Sequence, residues 1–262
     1  MTGGKELTRQ MIIQTLVNAL EPLDYAYAFY EGGAAAFNRI DEWSDIDLYL
    51  IVDEKKADKA FAIVDKALES LSPIKRKIVV PQLPWPGVSQ VFYKLERASD
   101  YLIIDFCVLT LNSSEKFLEP ETHGNVVFYF NKSAKVQPPS LEKDVLVKKL
   151  RNRLERLKAR IELFNSFVQK EINRGNLLEA VDNYHNLTLA TLVEILRIKH
   201  NSIHYEFKMR YIHYELPPEI TKRLVRLYFV RDEKDLQMKY DEATEWLHKI
   251  MSELDETYAS SS

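Results

Sequence analysis

Apolar residues recur at helical spacing near the start of the chain and again after residue 55. The pattern in residues 6–20 ends before Pro22. Residues 55–71 repeat it and stop at Pro73. Both segments are predicted to be amphipathic helices that pack their apolar side on another element.

Segments of strand length lie between and after these helices. They are rich in β-branched and aromatic residues, which suit a pleated surface. The predicted strands are residues 25–30, 46–52, 74–80, 88–95, 101–110 and 126–130. Strands that alternate with helices and then pair through short turns predict a mixed sheet. Residues 82–87 and 115–125 are predicted to be irregular connections.

Composition and hydrophobic period change together at Gln137-Pro138-Pro139-Ser140, which is predicted to be a linker. Apolar residues beyond it follow helical spacing almost to the end of the chain. The predicted helices are residues 141–174, 177–200, 217–230 and 232–254. The fold class is therefore predicted to be α/β, or α+β, with a mixed-sheet domain in residues 1–137 and a helical bundle in residues 138–262.

Composition narrows the class of protein without naming its chemistry. With 46% hydrophobic and 29% charged residues, the sequence is typical of a globular protein. A net charge of −3 argues against a protein that coats nucleic acid. No apolar run approaches the roughly 20 residues that span a bilayer, so we expect no membrane association and a cytoplasmic location. The single cysteine, Cys107, excludes an internal disulfide and is expected to be a core thiol.

The polar chemistry of the sequence is concentrated between the first two predicted strands. Gly32 and Gly33 permit a tight turn and a close approach of the backbone to a ligand. Asp45 and Asp47 are two residues apart, so in a strand their carboxylates point to the same face. Neighbouring carboxylates repel each other unless a cation or a proton separates them. Mg²⁺ is usually held by one or two carboxylates together with substrate phosphates, which suits this pattern.

Asp105 is a third candidate carboxylate. It is the one acid in the apolar segment YLIIDFCVLT, residues 101–110, where burial of a lone charge would be costly. Alternation along the strand places it on the same face as Cys107. A groove lined by acids explains Asp105 better than a dry core does. The alternative interpretation is that the aspartate pair caps a strand on its solvent side and the glycine pair is an ordinary turn.

The glycine pair Gly32-Gly33, the segment Ser44-Asp45-Ile46-Asp47-Leu48 and the later Asp105 together resemble the signature of the nucleotidyltransferase superfamily, which includes DNA polymerase β. The family usually has Gly-Ser where this chain has two glycines. The resemblance implies two Mg²⁺ ions held by Asp45, Asp47 and Asp105. It also implies that Gly32, Gly33 and Ser44 contact a nucleoside triphosphate, with ATP the expected one.

The helical half resembles the C-terminal domain of kanamycin-type, aminoglycoside and lincosamide nucleotidyltransferases, through residues 196–220 and 224–230. This resemblance implies an acceptor site between the two domains and phosphate contacts from Lys208 and Arg210. The nearby aromatic residues would line the acceptor site or pack in the core: Tyr205, Phe207, Tyr211 and Tyr214. The acceptor hydroxyl would lose its proton to Asp105 or to an acid of the helical half, for which the candidates are Glu179, Asp182, Glu194 and Glu206.

Taken together, the two resemblances predict transfer of AMP from ATP to a hydroxyl of a small-molecule acceptor, such as an antibiotic, with release of pyrophosphate. Relatives of this kind often form homodimers. Two alternatives stay open: a module that binds nucleotide or RNA without turnover, and a toxin–antitoxin nucleotidyltransferase that acts on a protein or RNA. Arg197 and His204 also match the R-x₆-H pattern of helical HEPN ribonucleases, a short pattern that arises easily by chance.

Overall fold

A computed structural model describes residues 7–132 and 136–259, with side chains up to residue 257. The chain forms two compact units, Met1–Leu141 and Glu142–Ser262. The linker predicted at residues 137–140 thus lies at the end of the first unit. Within the described ranges, no helix is both long and apolar enough to cross a membrane.

The first unit contains a six-stranded mixed sheet with the strand order β3-β4-β5-β2-β1-β6. Neighbouring strands are antiparallel except for β2 and β5, which are parallel. Each predicted strand is found, with ends that shift by a few residues. The strands are β1 (Ala26–Glu31), β2 (Ile46–Val52), β3 (Ile74–Val79), β4 (Val88–Leu95), β5 (Ile104–Thr110) and β6 (Val127–Asn131).

The helices of the first unit are α1 (Arg9–Leu20), α2 (Gly33–Ala36), α3 (Ala57–Leu71) and α4 (Pro120–His123). Helix α1 begins later than the prediction because Leu7 forms a β-bridge with Ala98, and the side chain of Thr8 accepts a hydrogen bond from the Met11 amide. Residue 6, where the prediction began, lies outside the described residues. The short helix α4 interrupts the connection that was predicted to be irregular.

The two faces of the sheet are covered differently. Helices α1 and α3 pack on one face, where Ile12 and Val64 join a core that includes Leu48 and Phe106. The alternate residues of β2 and β5 point to the opposite face, which is partly covered by the connection between β5 and β6. Cys107 lies on that opposite face and is buried, as the sequence predicts for a core thiol. The aspartates belong to this same face.

The second unit is helical, as predicted, but more of its helices are interrupted. Its α-helices are α5 (Lys143–Phe164), α6 (Ser166–Arg174), α7 (Leu177–Asn183), α8 (Ala190–His200), α9 (Ile212–Glu215), α10 (Pro218–Tyr228) and α11 (Glu233–Ala259). A π-helical segment, Tyr184–Leu189, joins α7 to α8, and a 3₁₀ segment, Ser202–Phe207, follows α8. These helices bury one apolar core of their own.

The prediction of one continuous helix over residues 141–174 was wrong. Helix α5 ends before Asn165 and α6 starts after it. Asn165 is buried, and its amide donates to the hydroxyls of Tyr240 and Thr244 at 3.2 and 3.1 Å. The Tyr240 hydroxyl in turn donates to the Asn165 carbonyl at 3.1 Å. A buried polar network therefore competes with the helical ladder at this point, and hydrophobic period alone does not reveal it.

Candidate active site

Sheet topology brings the three predicted carboxylates to one edge. Strand β1 runs antiparallel to β2, so the glycine turn that follows β1 returns to the start of β2. Strand β5 runs parallel to β2 and begins at that same edge, and its register places Asp105 beside Asp47. Asp45 directly precedes β2 and is exposed, whereas Asp47 and Asp105 are partly buried. Negatively charged side chains from both strands therefore lie close together at this edge.

Gly33 fits tightly against Asp47. Its φ angle is +52°, and a Cβ atom built on it would stand 1.7 Å from the Asp47 Oδ2 atom. Only a residue without a side chain can occupy this position while the Asp47 carboxylate stays where it is. The serine that the family usually has here would collide with that carboxylate. Gly33 thus leaves the space that the Asp47 carboxylate occupies.

The backbone of Gly32 helps to hold the turn together. Its N–H donates to the Asp47 carbonyl at 2.9 Å, so this amide already has an acceptor. A Cβ atom on Gly32 would lie 2.9 Å from the ring of Tyr49, which forms the floor of the turn. The first amides of a helix have no acceptor within the helix. The amides in the first turn of α2, beginning with that of Gly33, therefore have no acceptor within the helix.

Asp105 is oriented by a neighbouring strand. The side-chain amide of Gln90 on β4 donates to both oxygens of Asp105, at 2.8 and 2.9 Å. Burial raises the pKa of Asp105, and the nearby Asp45 charge raises it further, while the hydrogen bonds from Gln90 and Cys107 lower it. Sequence reasoning missed Gln90. Strand alternation in β4 would have placed this polar residue on the same face as Asp105 if the pairing of β4 with β5 had been known.

Arg9 supplies the positive charge beside this edge, and it too was missed because it lies far away in sequence. Its guanidinium donates to the Asp45 carbonyl at 2.6 Å and forms an ion pair with the buried carboxylate of Glu31. Burial lowers the pKa of Arg9, and electrostatic interactions with Tyr129, Asp47 and Asp45 raise it. The start of helix α1 is thereby tied to the loop that enters β2.

The aspartates fit the Mg²⁺ that the resemblance implies. Asp47 and Asp105 are register partners, and the charge of Asp45 acts on the pKa of Asp105, so the carboxylates are close enough to repel one another. The carboxylate oxygens of these three described aspartates do not, however, all lie within 4.8 Å of one another. This agrees with the usual Mg²⁺ site, in which waters and phosphate oxygens complete the coordination of one or two carboxylates.

The loop before β2 contributes an aromatic rim. The ring of Trp43, which is 57% exposed, meets the ring of Tyr101 edge to face at 4.8 Å. The predicted ligand Ser44 lies in the same loop, where its hydroxyl donates to Asp41 Oδ1 at 2.8 Å and accepts from the Asp41 amide at 3.0 Å. Ser44 therefore holds the loop that presents Asp45.

Lys208 and Arg210 belong to the second unit, where they occupy an exposed loop. Lys208 has a φ angle of +51° and Tyr211 one of +59°, which is uncommon for residues with side chains. The Arg210 guanidinium stacks over the Phe207 ring at 4.1 Å. Both cations are thus presented by a strained, ordered segment.

A buried arginine fixes this loop. Arg197 is fully buried, donates to the Lys208 carbonyl at 2.7 Å and to the Arg210 carbonyl, and pairs with Glu215 at 2.6 Å. His204 contacts the other oxygen of Glu215 at 2.9 Å. The residues of the R-x₆-H pattern therefore share one buried carboxylate, and their role here is structural.

The second unit also contains a cavity of about 510 Å³. It includes Lys208 and two of the candidate acids, Glu194 and Glu206, but not Glu179 or Asp182. Two residues of the π-helical segment also line it, and such segments are frequent at functional sites. Glu194 is engaged by Arg153 through both oxygens.

Solved structures that are similar to this chain include the following three. An aminoglycoside 6-adenyltransferase from Bacillus subtilis is 12% identical over 97% of this chain and 92% of that one, with a TM-score of 0.36. A spectinomycin adenyltransferase from Enterococcus faecialis, with ATP and spectinomycin, is 10% identical over 92% of this chain and 100% of that one, with a TM-score of 0.40. A STING-associated c-di-GMP synthase from Capnocytophaga granulosa is 11% identical over 95% of this chain and 84% of that one, with a TM-score of 0.29.

No protein-family model matches the sequence, and no relative is found among the curated proteins. The roles of individual residues rest on the geometry of this chain.

Proposed function

We propose that this protein is a Mg²⁺-dependent nucleotidyltransferase that transfers AMP from ATP to a hydroxyl group of a small-molecule acceptor such as an antibiotic. The observation that carries the proposal is the pairing of Asp47 with Asp105 in parallel strands, with the carboxylate of Asp47 against Gly33. Three acids, a glycine turn and a nearby arginine at one sheet edge suit a metal-bound triphosphate better than they suit a stable, ligand-free surface.

Asp45 and Asp47 would hold the Mg²⁺ that binds the triphosphate, and Asp47 and Asp105 would hold a second ion. When bound, Mg²⁺ neutralises and orients the phosphate oxygens. The amide of Gly33 would contact a phosphate oxygen, since that of Gly32 donates to Asp47. Arg9, fixed between Glu31 and the Asp45 carbonyl, would keep the loop of Asp45 in place.

In the reaction, the acceptor oxygen forms a bond to the α-phosphorus of ATP while the bond from that phosphorus to the pyrophosphate oxygen breaks. The hydroxyl proton passes to Asp105. Burial and the charge of Asp45 raise the pKa of Asp105, which makes its carboxylate a better base than an exposed one. Gln90 would hold that carboxylate in one orientation.

The second unit contains the other residues for which the resemblance implies contact with phosphate or acceptor. Lys208 and Arg210 would contact phosphate, and the cavity beside Lys208, with Glu194 and Glu206, has a volume that suits a small polar molecule. A cytoplasmic location and a homodimer remain predictions from the sequence.

The proposal is tested with ATP labelled at the α-phosphate, Mg²⁺ and a panel of hydroxylated antibiotics, with release of pyrophosphate measured in parallel. We expect label on one acceptor class, and a loss of about 100-fold or more in rate for Asp105→Asn. Asp100→Asn, an exposed acid on a nearby turn, is the matched control. An unchanged rate for Asp105→Asn, or no labelled product with any acceptor, would contradict the proposal.

A second candidate is a module that binds nucleotide without turnover. The observation in its favour is that the Gln90 amide already engages both oxygens of Asp105. Metal-dependent nucleotide binding without any labelled product would favour this candidate. Label on a protein or an RNA in the same assay would instead favour a transferase with a macromolecular acceptor.

A further inference from the structure

A cluster of potential metal ligands lies in the connection between β5 and β6. Glu115, Glu119 and His123 follow one another at intervals of four residues, and α4 begins just after Glu119. Each can offer one ligand atom, and these atoms all lie within 4.8 Å of one another. None of the three is an aspartate of the candidate active site, so the cluster needs an explanation of its own.

The contact between Glu119 and His123 has the spacing of two ligands of one metal. Their Oε2 and Nε2 atoms are 3.4 Å apart. The Glu119 Oε2 atom is buried and has no hydrogen-bond partner. In a tetrahedral site with bonds of about 2.0–2.1 Å, two ligand atoms lie roughly 3.3 Å apart. This buried oxygen makes no hydrogen bond and contacts the His123 imidazole only at ion-pair distance, and a cation between the two atoms would account for both observations.

The charges around the cluster support the same conclusion. Two carboxylates this close repel each other unless a cation is present. The nearest lysine in sequence, Lys116, donates to the Ser113 carbonyl at 2.6 Å. Glu115 accepts from the Phe117 amide at 2.7 Å through Oε1, which orients its carboxylate.

The cluster is connected to the glycine turn by packing. The ring of Phe117 contacts both His123 and Tyr49, each at a centroid distance of 5.4 Å. Tyr49 is the floor beneath Gly32. After the cluster, the amide of Asn125 donates to the Ala36 carbonyl at the end of α2, at 2.9 Å. A cation at the cluster would thus stabilise the segment that packs on both sides of the turn.

We propose that Glu115, Glu119 and His123 bind one zinc ion, with water as the fourth ligand, and that this ion fixes the connection between β5 and β6 against the glycine turn. The combination of one imidazole with two carboxylates suits Zn²⁺, whereas Mg²⁺ prefers oxygen ligands alone. This site is separate from the Mg²⁺ site of the proposed function and does not depend on the transferase reaction.

The test measures Zn²⁺ binding to the full chain after removal of metal by a chelator. Metal content is determined by mass spectrometry after gel filtration, and Co²⁺ is used as a spectroscopic probe of coordination. We expect one Zn²⁺ per chain, a visible Co²⁺ spectrum typical of four-coordination, and an affinity lowered about tenfold or more in His123→Ala and Glu119→Gln. Glu121→Gln, an exposed acid of α4, is the matched control and should bind as the natural chain does.

Two further measurements keep the result interpretable. Circular dichroism shows whether each variant is folded, and X-ray absorption of the zinc-loaded natural chain counts nitrogen and oxygen ligands without any substitution. One nitrogen and otherwise oxygen ligands would support the site. Substoichiometric zinc, equal binding by the ligand variants, or binding lost in Asp45→Asn/Asp47→Asn but kept in His123→Ala would overturn it.

Discussion

The Cα atom of Gly33 lies directly against the carboxylate of Asp47, so that a Cβ atom at residue 33 would stand 1.7 Å from Oδ2. The turn and the acid therefore cannot be varied independently. A serine at residue 33 would displace this carboxylate. This chain has a second glycine at that position, which leaves room for the carboxylate. In the proposed function, the Gly33 amide would donate a hydrogen bond to phosphate in place of a serine hydroxyl.

Gly33→Ala is expected to abolish nucleotide binding and to destabilise the protein by more than the roughly 1–2 kcal/mol of a left-handed residue. The control is Gly175→Ala. Gly175 also has a positive φ angle, of +76°, but nothing lies within 4 Å of its Cβ position. Urea unfolding and nucleotide calorimetry on both variants check this. Equal effects of the two substitutions would refute the role of the Asp47 contact.

Asp105→Asn is expected to stabilise the metal-free protein at neutral pH. The folded-state pKa of Asp105 is raised above its usual 3.8, mainly by burial. The charged form is thus disfavoured by folding, and stability is lost as pH rises from about 3.8 through the raised pKa. The advantage of the variant should therefore grow from pH 4 to pH 7.5 in urea unfolding.

Asp100→Asn provides a control of opposite sign for that pH dependence. The hydrogen bond from Lys94 holds the pKa of Asp100 below its usual value, so this acid contributes stability above that value. Its substitution should give a small loss at pH 7.5 that disappears as the pH falls. If Asp105→Asn behaved in the same way as Asp100→Asn, the desolvation account of Asp105 would be wrong.

Gln90→Ala is expected to move the acidic limb of the activity profile to higher pH. The Gln90 amide lowers the pKa of Asp105 by donating to its charged form, so its removal raises that pKa. A base with a higher pKa stays protonated to a higher pH. The pH dependence of the transfer rate checks this, with Ser89→Ala as the control on the neighbouring exposed position. An unshifted limb would exclude Gln90 as the group that orients the base.

Arg197→Met is expected to destabilise the protein by about 3–5 kcal/mol, because it removes a charged partner of the buried Glu215. The side chains of Arg197 and Glu215 are 0% and 5% exposed. Arg226 pairs with Glu242 but is 58% exposed, and Arg226→Met should cost no more than about 1 kcal/mol. If urea unfolding gave comparable losses of stability for the two variants, burial would not determine the cost of removing Arg197.

The sequence predicted the mixed sheet, the helical half and the shared face of Asp105 and Cys107, because these follow from local period and alternation. The pairing of Asp47 with Asp105 depends on two strands far apart in sequence being parallel neighbours, and local pattern contains no such information. The same holds for Gln90 and Arg9, which reach the site through tertiary packing. The boundary between α5 and α6 lies at Asn165, whose backbone carbonyl accepts a hydrogen bond from Tyr240 of α11, and hydrophobic spacing cannot reveal this contact.

The central claim is that Asp45 and Asp47 hold a metal-bound nucleoside triphosphate. Isothermal calorimetry tests it most directly, with ATP and the other triphosphates titrated into the natural chain and into Asp45→Asn/Asp47→Asn, with and without Mg²⁺. The account predicts that the natural chain binds a triphosphate only with Mg²⁺ and that the double variant, while folded, does not bind it. Binding that persists in the double variant, or no binding of any triphosphate by the natural chain, would contradict the account.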